Sequence, residues 1–172
     1  MGAMVLSKEE VISALQNEIR ILLHLAGKVD RAKLDYKPTP KQRTTLELLQ
    51  YLNVMGPQLL VALKTGAFDG AAWGKAVEAT KALDFDALLA SIGKQSDLYA
   101  TSLGAWSDAD FRGELDMFGA KHSRGYHLVS FVLGGHAAYR TQLFMYLKSC
   151  GREELSTMNL WGGIDAPMPP PQ

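Results

Sequence analysis

Four stretches of this chain set apolar residues at alternating steps of three and four, and that spacing constrains the fold more than any other feature. Such steps keep side chains on one face of an α-helix. The first stretch aligns Ile12, Leu15, Ile19, Leu22 and Ala26. Ahead of it Ser7 and Glu10 have capping-box spacing, and Gly27 is a natural stop. The second begins at Thr44, with Glu47 as its capping partner, and buries Thr45, Leu48, Leu52, Met55, Leu59 and Ala62 before Gly66. Pro57 lies inside this seam. It cannot donate to the carbonyl of Asn53, which predicts a kink and a free carbonyl available to water or a ligand.

The third seam reads Leu89, Ile92, Ser96, Tyr99 and Leu103, capped by Asp84 or Asp86. The fourth opens at Ser123, runs through Val129, Val132, His136, Tyr139, Leu143 and Tyr146, and closes at Gly151. Between the seams, Val29 to Arg43 is a linker with Pro38 and Pro40, which disfavour helix just before them. Residues 67–83 read as a short helix or packed loop around Trp73, and residues 107–122 as a turn and irregular connection. In the tail, residues 152–172, Leu160 and Trp161 point to a segment folded back on the rest, with a Pro-rich end. No alternating strand pattern stands out. The chain therefore reads as one all-α domain over 1–172, an antiparallel four-helix bundle with longer connections. Met1-Gly2-Ala3-Met4 reads as an appended start ahead of a natural Met4.

Eighteen basic residues balance eighteen acidic ones, and no Lys/Arg cluster breaks the balance. Without a net field, nucleic acid is not an expected partner. Polar residues interrupt every apolar run short of a membrane span, and no signal-peptide pattern opens the chain, so no membrane association is expected and the cytoplasm is the expected compartment. Cys150 is the single cysteine, which rules out an intramolecular disulfide. It falls near a helix C-terminus, where the dipole disfavours thiolate.

His136 is the unusual residue of the fourth seam, with Tyr139 about one turn on. An inward histidine in a bundle is either a core residue satisfied by a hydroxyl or carbonyl, or part of a ligand, metal or base site. Gly134 and Gly135 just before it each cost helix stability, about 1 kcal/mol relative to alanine. Close helix packing accounts for them better than a cavity does. Arg140 either binds an anion inside or pairs with a surface carboxylate. His24 is expected to be exposed or to flank a groove, His122 falls in a loop, and His127 is near the start of the last helix. No two histidines stand four apart on one helix.

Three stretches together resemble the DinB-like (DinB/YfiT) superfamily of four-helix bundles. They are Pro38-Thr39-Pro40 with the Thr44–Leu52 helix start, Ser107-Asp108-Ala109-Asp110-Phe111, and His136–Leu143 followed by Tyr146-Leu147-Lys148 and Gly151. Many such proteins hold a divalent metal with three histidines, one on the second helix and two, four apart, before an Arg-x-Gln on the last. The resemblance places these positions at Tyr51, Gly135 and Tyr139, anchored by Arg140 and Gln142. None is histidine, and His136 is one residue out of register, about 100° around the helix. The resemblance thus implies a bundle whose metal site is largely replaced.

Three functions follow as expectations. The first is a metal-free DinB-like bundle without cofactor, its pocket near Tyr51, His136 and Tyr139 filled by side chains or open to a small, partly apolar molecule. The second is an enzyme, thiol transferase-like or hydrolase-like, in which His136 acts as base or as the sole imidazole ligand to zinc or nickel. The third is an interaction module that pairs with itself as a homodimer.

Overall fold

The computed structural model describes residues 5–167; residues 1–4, expected to be an appended start, and 168–172, the Pro-rich end, lie outside that range. Two capping boxes start the longest helices. Ser7 accepts from the Glu10 amide while Glu10 reaches back, opening α1 (Lys8–Ala26), and Thr44 and Glu47 do the same for α2 (Thr45–Thr65). Each box satisfies amides that a helix start otherwise leaves bare, worth about 1 kcal/mol. Gly66 ends α2 in the left-handed conformation (φ 84°), which a residue without Cβ adopts at no steric cost.

Asp69 caps α3 (Gly70–Lys81), so the segment around Trp73 is a helix. Asp84 caps α4 (Phe85–Gly93), which continues almost directly into α5 (Gln95–Gly104). A short α6 (Asp108–Arg112) leads to strands β1 (Glu114–Met117) and β2 (Ala120–Ser123). They pair antiparallel from Glu114–Ser123 to Met117–Ala120. This hairpin corrects the expectation of an irregular connection without strands. Its strands are four residues long, and only Leu115 and Met117 are buried, too brief an alternation to read from sequence. Ser123 caps α7 (Arg124–His127), which passes through a π-helical segment, Leu128–Leu133, into α8 (Gly134–Ser149).

The four rods of the bundle are α1, α2, α4–α5 and α7–α8, with α3 laid against α2 and the hairpin beside α7. α1 packs on α5 and α8, and α2 on α8. Leu15, Leu22, Leu48, Leu52, Leu88, Ile92, Leu128, Val132 and Leu143 are fully buried among them. Each contributes roughly 1.5–3 kcal/mol relative to exposure. Each seam departs in part from expectation: Ile12 and Leu59 are half-buried where their neighbours Val11 and Leu60 are buried. On α4–α5 the buried set includes Leu88 and Gln95, while Leu89 and Ser96 are only half-buried. On the last rod Leu128 is buried and Val129 is 38 % exposed, because the π segment alters the register upstream of α8.

The tail does return to the bundle, through buried Leu155 and Asn159 and the π-helical segment Met158–Gly162 against α1. Trp161, expected to pack, is 70 % exposed instead. Among the described residues no helix is long and apolar enough to cross a membrane.

Candidate functional site

His136 points from α8 into the centre of the bundle, 1 % exposed. Its Nε2 lies 2.7 Å from the Tyr99 hydroxyl on α5. Tyr99 donates to Gln95 Oε1 at 3.0 Å, and Gln95 Nε2 donates to the Leu52 carbonyl at 3.0 Å and, more weakly, to that of Asn53 at 3.4 Å. The single Tyr99 proton is committed to Gln95, so His136 donates from Nε2–H and carries a bare lone pair on Nδ1. That Nδ1 is buried without a partner. The Asn53 carbonyl released by Pro57 thus faces a glutamine side chain rather than water or a ligand. Burial lowers the His136 imidazole to about 4, and burial pushes the Tyr99 hydroxyl well above its ordinary value. The junction is a neutral relay of hydrogen bonds across three rods.

Gly56 makes room for it. A Cβ at this position would stand 2.8 Å from His136 Nε2 and 2.9 Å from Gln95 Oε1, and would collide with the Tyr99 hydroxyl. Gly135 serves close packing too, since a Cβ there would meet Met55 Sδ at 2.9 Å and Cε at 3.1 Å.

Tyr51 and Tyr139 lie elsewhere, on the outer side of the α2–α8 contact. Their rings meet edge to face with centroids 4.8 Å apart. With Met55, Leu59, Phe68, Trp73, Phe118, Ser130, Phe131 and Gly135 they line a cleft of about 360 Å³. The expectation that Tyr51, His136 and Tyr139 share one pocket is therefore corrected: the tyrosines line the cleft, and His136 is not among its residues. The one-residue offset turns the imidazole inward to Tyr99 and leaves the tyrosine positions facing out.

Burial first, then the Tyr139 phenol, pushes the Tyr51 hydroxyl up to about 12. The Arg43 guanidinium lies over the Tyr51 ring at 3.9 Å and 5.9 Å from the Tyr139 centroid. A second cleft of about 490 Å³ adjoins the first at Tyr51 and Trp73, lined on its far side by Lys37, Lys41, Arg43, Glu47 and Lys81 among others. Arg43 and Trp73 were not singled out as site residues from sequence. The signal is the basic run Lys37, Lys41, Arg43 just ahead of the α2 cap, which corrects the expectation that no Lys/Arg cluster breaks the charge balance.

The remaining candidates are structural in their contacts. Arg140 is buried and pairs bidentately with Glu18 of α1, Nε–Oε2 at 2.7 Å and Nη2–Oε1 at 3.1 Å, while its Nη1 donates to the Leu160 carbonyl of the tail. It does pair with a carboxylate, but inside the protein. Gln142 donates to the Tyr146 hydroxyl at 2.6 Å, and Tyr146 donates to the Arg43 carbonyl at 2.9 Å. His24 is half-buried under the tail beside Asn159, and His122 is exposed on β2. His127 is buried with Nε2 on the Leu115 carbonyl at 3.2 Å. Burial raises the Cys150 thiol.

The positions that the resemblance assigns to metal ligands, Tyr51, Gly135 and Tyr139, do converge on one cleft. Their donors do not suit a divalent ion. One has no side chain, and the Tyr51 phenol is held protonated. Among the described residues no three His, Cys, Asp or Glu side chains gather as a metal site.

The fold is a helical bundle of four rods. The structure is similar to the crystal structure of a DinB-like protein, YjoA, from Bacillus subtilis, with a TM-score of 0.64 and 16 % sequence identity over 85 % of this chain and 95 % of that one. At this identity the likeness is one of fold. No protein-family model matches the sequence, and no curated protein matches it.

Proposed function

We propose that this bundle is a small-molecule binding protein that works without a metal, taking a compact, partly apolar molecule into the cleft between α2, α3, α8 and the hairpin turn. The observation that carries this reading is the convergence of Tyr51, Gly135 and Tyr139 on one aromatic-walled space of about 360 Å³. That volume falls in the range of small-molecule sites, and apolar walls with a few polar tips are their usual lining. The hydroxyls of Tyr51 and Tyr139 supply polar tips to hydrogen-bond an occupant, and Trp73 and Phe131 offer ring faces.

His136 supports the cleft from behind rather than entering it. Its relay through Tyr99 and Gln95 ties α8 to α5 and α2, the helices that carry the two tyrosines and their backing.

The test is a thermal-shift and calorimetric screen of mono- and bicyclic aromatic compounds, with elemental analysis of protein purified without chelator. A native-state ligand raises the unfolding temperature, increasingly with the logarithm of its free concentration above Kd. Ser130→Trp places an indole on the exposed lip of the cleft and is expected to abolish the shift while the protein remains folded. A stoichiometric metal that leaves on Tyr51→Phe or Tyr139→Phe substitution would overturn the metal-free reading.

A further inference from the structure

We infer that the cleft beside Arg43 is an anion subsite of the aromatic cleft, so that the ligand is a ring-bearing small organic acid, its ring against Tyr51, Trp73 and Tyr139 and its carboxylate or phosphate on Arg43. This rests on the small-molecule reading above and assigns the chemistry of the ligand's other end.

Charge is the first argument. The chain as a whole is balanced, eighteen basic against eighteen acidic, yet this cleft is lined by Lys37, Lys41, Arg43 and Lys81 against Glu47 alone. Lys81 is paired with Glu78 at 2.8 Å. The Glu47 carboxylate is occupied by the Thr44 amide at 2.8 Å in the α2 capping box. Among the described residues no carboxylate forms an ion pair with Lys37, Lys41 or Arg43. Three cations therefore face a concave surface whose lining carries Glu47 as its one carboxylate.

Placement is the second argument. Arg43 sits in the linker between α1 and α2, but the linker around it is pinned. The Arg43 carbonyl accepts from Tyr146 of α8 at 2.9 Å, Gln142 holds Tyr146, and the Tyr36 ring stands edge-on to Tyr146 at 5.5 Å. The Thr45 amide donates to Tyr36 at 2.9 Å and the Leu46 amide to Leu34 at 3.0 Å. Pro38 and Pro40 limit what the chain between can do. The guanidinium is stacked on Tyr51, which leaves its edge and its fork of N–H groups for an oxygen anion. A planar cation fixed at the junction of an apolar cleft and a basic one matches a molecule with a ring at one end and an acid at the other.

Third, the two clefts adjoin at Tyr51 and Trp73. One ligand of two-ring size can touch the stacking faces and the cation together.

The experiment compares 2-naphthoate with its neutral partner 2-naphthamide by isothermal titration calorimetry on the full chain, at low and at high salt. The acid is expected to bind about tenfold or more tightly than the amide at low salt, with the advantage shrinking as salt screens the charges. Arg43→Gln should bring the acid down to the amide's affinity and leave the amide within about threefold of its original value. The double change Lys37→Gln with Lys41→Gln keeps the stack on Tyr51 and should lose part of the advantage. If acid and amide bind equally, or if the acid's advantage survives both variants, the anion subsite is wrong and the aromatic cleft stands. If neither binds the folded protein, the small-molecule reading fails and the subsite goes with it.

Discussion

The Tyr99 hydroxyl occupies the space that a side chain at Gly56 would need. A Cβ at position 56 would also stand 2.8 Å from His136 Nε2 and 2.9 Å from Gln95 Oε1. Gly56 is thus a glycine inside a helix for a packing reason, and the roughly 1 kcal/mol it costs in helix propensity is offset by the junction it admits. Gly56→Ala should destabilise the protein by about 2–4 kcal/mol in urea unfolding, through overpacking and a broken buried hydrogen bond. Gly135→Ala meets a flexible thioether instead, and should cost no more than about 1 kcal/mol. Equal losses for the two would show that the polar junction has no special requirement for Gly56.

The His136 imidazole sets a window of acid sensitivity. Its folded value, lowered by burial to about 4, lies below the ordinary 6.5 of an unfolded histidine. Between these values the unfolded chain binds a proton that the folded one refuses. Stability from this residue is therefore complete above about pH 6.5 and drains away as pH falls toward 4, by about 3 kcal/mol in all. His136→Leu removes the titration, and Tyr99 keeps its donation to Gln95, so stability at neutral pH should change little. Urea midpoints across pH 4–7 should slope for the native chain and flatten for the variant; parallel slopes would place the sensitivity elsewhere.

The helix starts were legible because their signals are local. Ser7 with Glu10, Thr44 with Glu47, Asp84, Ser123 and the left-handed Gly66 lie where capping chemistry puts them. What failed to show depends on contacts far apart in sequence. Gln95 is buried because carbonyls of α2 receive its amide, and a polar residue in a seam reads as exposed until those carbonyls are in view. Val129 changes places with Leu128 because a π segment, invisible to a 3.6-residue template, intervenes. Tyr51 and Tyr139 were legible through resemblance, while Arg43 and Trp73 join them only by the packing of a linker and of α3 on α2.

Arg140 and Glu18 join α8 to α1 at 2.7 Å with side chains 6 % and 12 % exposed, and the same guanidinium holds the tail at Leu160. Removing one partner leaves a buried charge. Glu18→Ala should therefore cost about 3–5 kcal/mol, whereas the double change Glu18→Leu with Arg140→Met should recover much of that loss. The tail should separate the two variants differently. Both lose its anchor at Leu160 or weaken it, so limited proteolysis near Arg152 should accelerate in the double variant even where global stability returns. A tail that stays protected in the double variant would mean that Leu155 and Asn159 hold it unaided.

Phe118 is the non-glycine residue with positive φ, 56°, among those described, followed by Gly119 at 83°. The pair closes the two-residue turn between Met117 and Ala120, where the twist of the hairpin demands left-handed residues at both positions. A bulky residue there costs about 1–2 kcal/mol. Phe118 is also 64 % exposed, so burial of its own surface offsets little of that. Its ring touches Phe68 at 5.6 Å and Phe131 at 5.5 Å on the lip of the aromatic cleft. On the proposed binding role, strain kept at such a place serves the cleft rather than stability. Asparagine tolerates the left-handed conformation, so Phe118→Asn should leave the unfolding temperature unchanged or raise it slightly. The same substitution should weaken binding of 2-naphthamide several-fold, about 1 kcal/mol, by removing one aromatic wall. A variant that is both less stable and unaltered in binding would assign the phenyl ring to hairpin packing alone.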